Sequence, residues 1–161
     1  MAVFNKNSLT QVSGFDNPII AGELVYNQKT FWNLTMQTSD STPIDLTGAT
    51  IDASIIRRQL SNLQDTRYGL TFDIADYTLS TPTAITLTIS NRIDATGKFT
   101  LTIDDSSWSL ITSDAQLDIN ATAPAGFSGR IKVSFPASGT NPAQDSIIFL
   151  LFLVRSDGVI N

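Results

Sequence analysis

The feature that most constrains the fold is a series of short segments in which apolar and polar residues alternate. Trp32, Leu34 and Met36 are separated by single polar residues, and a period of two places such apolar side chains on one face of a β-strand. The same period recurs in later segments: Ile51–Ile55, Leu70–Ile74, Ile85–Ile89, Phe99–Ile103 and Ile131–Phe135. Turn-forming residues separate these segments, and no segment has the period of a long helix. We therefore predict an all-β chain, an antiparallel β-sandwich of about 7–8 strands.

Two other segments carry a less regular pattern. Residues 147–154 are continuously apolar, which predicts a strand with both faces buried, or with one face in the core and the other against a partner. Between Asp104 and Asp114 we predict a turn with a short helical piece, because the aspartates before Ser106 can cap a helical turn.

The length and the pattern together predict the domain organisation. A chain of 161 residues corresponds to about one domain. Residues 1–20 are predicted to form an extended N-terminal arm, and residues 21–161 a single β-sandwich domain. The arm contains isolated apolar residues in a polar context, and we interpret it either as a frayed terminus or as a segment that docks on a neighbouring subunit.

Composition argues against several classes of function. The chain contains no histidine and no cysteine, so the Ser-His-Asp, Cys-His and histidine- or thiolate-zinc sites are all excluded. We expect no enzyme activity, no cofactor and no metal, with a glycosidase that uses only carboxylates, such as Asp104 with Asp105, as an open alternative. A net charge of -5 argues against nucleic acid as a partner. The first fourteen residues lack the pattern of a signal peptide, and no apolar run approaches the length of a membrane helix, which predicts synthesis in the cytoplasm and no membrane contact.

The aromatic residues leave a second class of function open. Tyr68 lies beside Arg67 and Gly69 in a predicted loop, and Trp108 lies among serines, so both are predicted to be exposed contact residues. Such residues can stack on sugar rings, which keeps a carbohydrate-binding module as an alternative. Trp32, by contrast, is in phase with Leu34 and is predicted to lie in the core.

One stretch resembles a known family. Residues 42–51 read TPIDLTGATI and continue through Ser54 to Arg57 and Arg58. This P-x-D-L-T-G-A turn, between one strand and a second strand that ends in basic residues, resembles the N-terminal domains of baseplate upper proteins and related small tail proteins of tailed bacteriophages. Residues 95–101, a glycine turn followed by an alternating strand, are similar to the same family. In physical terms Asp45 and Thr47 can bond nearby backbone groups, and Gly48 can adopt a positive φ.

The resemblance implies a non-enzymatic structural protein of the virion. Because the sequence ends at Asn161 without a distal receptor-binding region, we expect an adaptor in the tail, baseplate or neck that holds components such as fibres, rather than a host-recognition protein. A capsid decoration or cement protein is the alternative within the same class. The expected partners are other virion proteins and further copies of the chain in a symmetric oligomer. The predicted interface residues are Phe4, Leu9, Val12, Phe15, Tyr68, Trp108, Ile148, Leu150 and Phe152.

Overall fold

The structure is a computed structural model, and it describes residues 10–12, 18–57, 64–65, 70–71, 83–113 and 125–155. Strands dominate these residues. The strands are β1 (Thr10–Val12), β2 (Ile19–Val25), β3 (Thr30–Thr35), β4 (Thr50–Arg57), β5 (Gln64–Asp65), β6 (Leu70–Thr71), β7 (Ile85–Ile93), β8 (Lys98–Ile103), β9 (Ala125–Phe135) and β10 (Gln144–Arg155), and one α-helix, α1 (Asp105–Thr112), follows β8. The prediction of an all-β chain is confirmed.

Eight of the strands form one continuous sheet. Their order is β1-β2-β10-β9-β4-β7-β8-β3, while β5 and β6 pair separately. Neighbouring strands are antiparallel except for β2 and β10, which run parallel with Ile19 opposite Phe149 and Val25 opposite Arg155. The expectation of an antiparallel sandwich is therefore not confirmed, because the sheet is mixed.

The sheet curls so that its two ends approach each other. The first part of β7, Ile85–Leu87, pairs with β4, and its later part, from Thr88, pairs with β8. At the far end of the sheet, Trp32 on β3 stacks on Phe152 of β10, with ring centroids 5.4 Å apart and planes 7° from parallel. One apolar core thus fills the space inside the curl, and its largest fully buried side chains include Trp108, Phe99, Phe127 and Phe152.

The alternating segments form the predicted strands. The apolar set of each segment faces the core, as the period of two requires; examples are Trp32 in β3, Ile55 in β4, Leu87 in β7, Leu101 in β8 and Val133 in β9. The segments from Ile85 and from Phe99 pair as an antiparallel hairpin. Of the segment that begins at Leu70, only Leu70 and Thr71 are described, and residues 72–74 lie outside the described residues.

The short strand β5 and two strands of the large sheet were not predicted, and the latter two involve the N-terminal region. β1 and the start of β2 fall within residues 1–20 and pair with each other, with Thr10 opposite Ala21. The segment Ile-Ile-Ala-Gly-Glu-Leu-Val that forms β2 lacks clean alternation. It pairs with β10 along its whole length, so long-range pairing rather than local pattern defines it. The division of the chain at residue 20 stays a prediction.

Helix α1 is longer than the single turn that the sequence suggested. Asp104 is its N-cap, and the Asp104 carboxylate accepts a hydrogen bond from the backbone N–H of Ser107 at 3.0 Å. The helix buries Trp108 and Ile111 against the core. These residues are three apart, which places them on the same side of a helix.

The Asp104 cap predicts a pH dependence of stability. The Ser106 hydroxyl and the Thr88 hydroxyl, each donating at 2.6 Å, and the Ser107 N–H hold the pKa of Asp104 well below its ordinary value of 3.8. A carboxylate whose pKa is depressed by folding stabilises the fold above its unfolded pKa, and this stabilisation is lost as the pH falls through the folded pKa. We expect Asp104→Asn to lower the melting temperature by a few degrees at pH 7, and this difference to shrink below about pH 4.

Asp105→Asn is the matched control for this experiment. The Asp105 side chain is 90% exposed and lies 3.7 Å from Lys29, and such exposed pairs contribute little to stability. Thermal unfolding of both variants and the native chain, followed by circular dichroism from pH 7 to pH 2.5, makes the comparison. A difference between Asp104→Asn and the native chain that stays constant over this range would contradict the prediction.

Candidate interaction surfaces

The outer face of the sheet carries an exposed apolar strip. Along β10 the side chains alternate, and Phe149 and Leu153 point away from the core with 44% and 42% of their surfaces exposed. Leu151 lies half-buried between them. Ile19 lies beside Phe149 on β2, and Ile56 on β4 is 38% exposed. We call these five residues the outer strip.

A shallow groove crosses the outer strip. Its volume is about 540 Å³, and its lining includes Ile19, Ile56, Phe149, Ser128 and Arg130. Ser128 on β9 lies between Leu151 of β10 and Ile56 of β4. Because this small side chain separates larger apolar ones, the strip is indented there and can accept side chains from a partner.

A second surface is a cleft at the seam where the curled sheet fails to close. It lies between the end of β3 and the first residues of β2 and β10 and has a volume of about 640 Å³. We call it the seam cleft. Its apolar lining comprises Ile20, Leu34, Met36, Ile44, Phe99 and Ile148. Met36, Phe99 and Ile148 are core residues, while Ile20, Leu34 and Ile44 are only partly buried, so the cleft opens the side of the core to solvent.

The turn that carries the family resemblance has the predicted local geometry. The Asp45 carboxylate accepts hydrogen bonds from the backbone N–H of Thr47 at 2.9 Å and from its hydroxyl at 2.6 Å. These bonds hold the pKa of Asp45 below its usual range. Gly48 has a φ of +76°, as predicted. Leu46, between them, is completely buried, so the turn is anchored to the core rather than projecting from it.

The turn at residues 42–51 packs against the β7–β8 turn, where an added Cβ on Gly97 would lie 2.8 Å from the carbonyl oxygen of Ile44. The N–H of Leu46 donates to the carbonyl of Asp94 at 2.9 Å. The Arg92 guanidinium donates to the carbonyls of Leu46 and Ala49 at 3.3 and 2.9 Å and pairs with Asp94 at 2.9 Å. The turn at residues 42–51 and the β7–β8 turn therefore form one packed unit.

The predicted exposure of Trp108 is wrong. Only 1% of its surface is exposed, because α1 directs the ring into the core. Its indole Nε1–H donates to the carbonyl of Gln28 at 2.7 Å, and its ring lies 6.2 Å from that of Tyr26. A tryptophan among serines looked exposed, but the helix leaves Ser106 and Ser109 exposed and buries Trp108 together with Ser107. A sugar-stacking platform cannot use Trp108.

On β10 the predicted interface residues lie on the buried face of the strand. Ile148, Leu150 and Phe152 are buried in the core of the same chain, so they cannot form a free surface. The exposed set is Phe149 and Leu153. A continuous apolar run has no polar phase, so the sequence could not show which set faces outward; the pairing of β10 between β2 and β9 decides it.

The remaining predicted interface residues are mostly outside the described part of the chain. Phe4, Leu9, Phe15 and Tyr68 lie outside the described residues, and Val12 belongs to β1. Sequence reasoning missed Ile19 and Ile56. Ile56 follows Ile55 directly, and an apolar residue out of phase with an alternating strand was the signal that could have identified it.

The described residues contain no group of three or more acidic side chains that could hold a metal ion. Asp104 caps α1, and Asp105 faces Lys29, so each of these neighbours has a structural partner. Within the described ranges, no helix is long and apolar enough to cross a membrane. No protein-family model matches the chain, and no curated protein matches it.

Proposed function

We propose that this chain is a non-enzymatic structural protein of a tailed-bacteriophage virion, an adaptor in the tail, baseplate or neck that holds neighbouring components such as fibres. The observation that carries the proposal is the outer strip. Its aromatic and aliphatic side chains lie on the solvent face of a sheet whose other face already holds the core. Contiguous exposed apolar patches of this kind mark surfaces that are covered by a protein partner.

The phage assignment is supported by the packed unit around Leu46. The resemblance rests on residues 42–51 and 95–101, and these meet where Gly97 packs against the backbone of Ile44. Hydrogen bonds also join Leu46 to Asp94 and to Arg92, just before the second stretch. Two chance matches have no reason to meet in the fold. Their contact favours a shared structural module over two unrelated turns.

We also infer that the curled sheet works as a two-layered sandwich. One layer consists of β1, β2, β10, β9, β4 and the first part of β7, and the other of the later part of β7, β8 and β3. Supporting this, β7 pairs with β4 and β8 through different residues, and Trp32 on β3 stacks on Phe152 in the facing layer. A rigid two-layered body suits an adaptor, because it presents its surfaces at a fixed spacing.

The test is capture of the chain by purified virion parts. The full chain is mixed with purified tails and, separately, with capsids from the same source, and bound chain is measured by sedimentation. We expect saturable binding to tails, and we expect Phe149→Ser with Leu153→Ser to weaken it at least tenfold. Burying these side chains in an interface stabilises it by about 1 to 2 kcal/mol each.

Leu110→Ser is the matched control, since Leu110 is 50% exposed on α1 rather than on the outer strip. It should bind like the native chain. Binding to capsids instead of tails would replace the adaptor by a cement protein. Absence of binding to either particle, with the chain folded, would refute the proposal.

A further inference from the structure

The two layers of the sandwich are unequal in width. The layer that ends in β3 contains three strands and the facing layer six. Within the described residues, β3 pairs only with β8. The inner sides of β2 and β10 therefore extend past β3, and the seam cleft lies in the space that a further strand beside β3 would occupy.

The free edge of β3, which no other described strand pairs with, directs backbone groups toward this space. The N–H of Met36 donates to the carbonyl of Gly97 on the β8 side. Because backbone groups alternate in direction along an antiparallel strand, those of Phe31, Asn33 and Thr35 point to the opposite side. None of the described backbone hydrogen bonds involves that edge. An extended peptide can add to such an edge through its main chain.

The cleft beside this edge also fits particular side chains. Partly buried Ile20, Leu34 and Ile44 give it an apolar wall. At its rim Ser39 precedes the exposed Asp40, whereas Asp145 lies on the opposite face of β10 from the cleft residue Ser146 and pairs with Lys132 at 3.0 Å. The fitting peptide is therefore extended, apolar and free of acidic residues.

Residues 1–9 of this chain have that chemistry. They read MAVFNKNSL, with apolar Val3, Phe4 and Leu9, one lysine and no acidic residue, in a chain whose net charge is -5. Fully extended, nine residues span about 30 Å, enough to run beside the whole of β3.

The course of β1 indicates which copy supplies the segment. Thr10 lies opposite Ala21 and Val12 opposite Ile19, so β1 begins on the side of the Val25 end of β2 and ends beside Ile19. The seam cleft lies at the Ile19 end, next to Pro18. We propose that residues 1–9 of a second copy of the chain bind in the seam cleft and pair with the free edge of β3. This deepens the proposed function, on which it rests, by naming the contact through which copies assemble.

Edge-blocking variants of the full chain test the strand pairing. Thr35→Pro removes the N–H that points to the free edge without touching the β8 side, and Thr35→Val keeps that N–H. Self-association is measured by light scattering over a range of concentrations, with circular dichroism as the check of folding. We expect Thr35→Pro to raise the dissociation constant at least tenfold and Thr35→Val to leave it unchanged. Equal association of the two folded variants, or a native chain that stays monomeric, would overturn the inference.

Disulfide trapping tests independently which copy supplies residues 1–9. The chain has no native cysteine, so only the introduced cysteines can cross-link. A chain carrying Phe4→Cys is mixed with a differently tagged chain carrying Gln37→Cys, in the cleft lining, under mild oxidation. We expect a covalent heterodimer that exceeds the homodimers of either variant. A single chain carrying both substitutions is oxidised in parallel. If it cross-links only within itself and the mixture yields no heterodimer, the segment binds its own chain and the inference is wrong.

The two proposals fail separately. Capture by tails without self-pairing through the seam cleft would leave the adaptor function standing and remove this contact. Self-pairing through the seam cleft without capture by any virion part would support this contact and refute the adaptor function.

Discussion

Replacing Gly97 by alanine should destabilise the chain by about 2 to 5 kcal/mol. Gly97 has a φ of +65°, a left-handed conformation that costs an alanine about 1 to 2 kcal/mol. An added Cβ would also lie 2.5 Å from the carbonyl oxygen of Met36 and 2.8 Å from that of Ile44. These are backbone atoms, so the β7–β8 turn would have to move away from Met36 and from Ile44 in the turn at residues 42–51.

Gly139→Ala separates the two causes of this loss. Gly139 has a similar φ of +58°, but no atom lies within 4 Å of an added Cβ. It should therefore cost only the conformational part, about 1 to 2 kcal/mol. Urea unfolding of both variants gives the comparison. If both variants lose the same free energy of unfolding, the two turns can move apart at no measurable energetic cost. The contact between them would then not be a rigid unit.

The turns illustrate what local sequence could predict. Asp45, Thr47 and Gly48 were assigned their geometry correctly, because hydrogen bonding to near neighbours and a positive φ depend on residues close in sequence. The contact of Leu46 with Asp94 was not predicted, since nothing local to either residue encodes it. Strand segments with clean alternation were found for the same reason, and β2 was missed because its partner, β10, is more than a hundred residues away.

The candidate surfaces were predicted less well than the strands. The apolar run in β10 was correctly singled out, but its buried and exposed faces could not be distinguished from sequence. The seam cleft depends on where the curled sheet stops, with β3 at one end and β1 at the other, which is a property of the whole topology. Local pattern thus identified a segment that contributes to a surface, whereas the surface itself required the order of the strands.

The two tryptophans provide the second large effect, and they should respond differently to the same substitution. Trp108→Ala should cost about 3 to 5 kcal/mol through the cavity that it leaves. Trp108→Phe should cost about 2 kcal/mol, since it loses part of the ring volume and the bond from Nε1 to the Gln28 carbonyl. The Thr30 hydroxyl also donates to that carbonyl, at 2.9 Å, so Gln28 keeps one donor and the loss stays moderate.

Trp32→Phe is the matched variant, because Trp32 is also buried but its Nε1 has no hydrogen-bond partner among the described residues. Removing an unpaired buried N–H relieves a cost of about 1 to 3 kcal/mol, which offsets the lost volume and the weaker stacking on Phe152. We therefore expect Trp32→Phe to change the free energy of unfolding by less than about 1 kcal/mol. Urea unfolding followed by circular dichroism gives the free energy of unfolding of each variant and so shows which substitution is more destabilising. If Trp32→Phe proves more destabilising than Trp108→Phe, the prediction is wrong. The stack of Trp32 on Phe152, which joins β3 to β10, would then contribute more to stability than the contacts of Trp108 between α1 and the core.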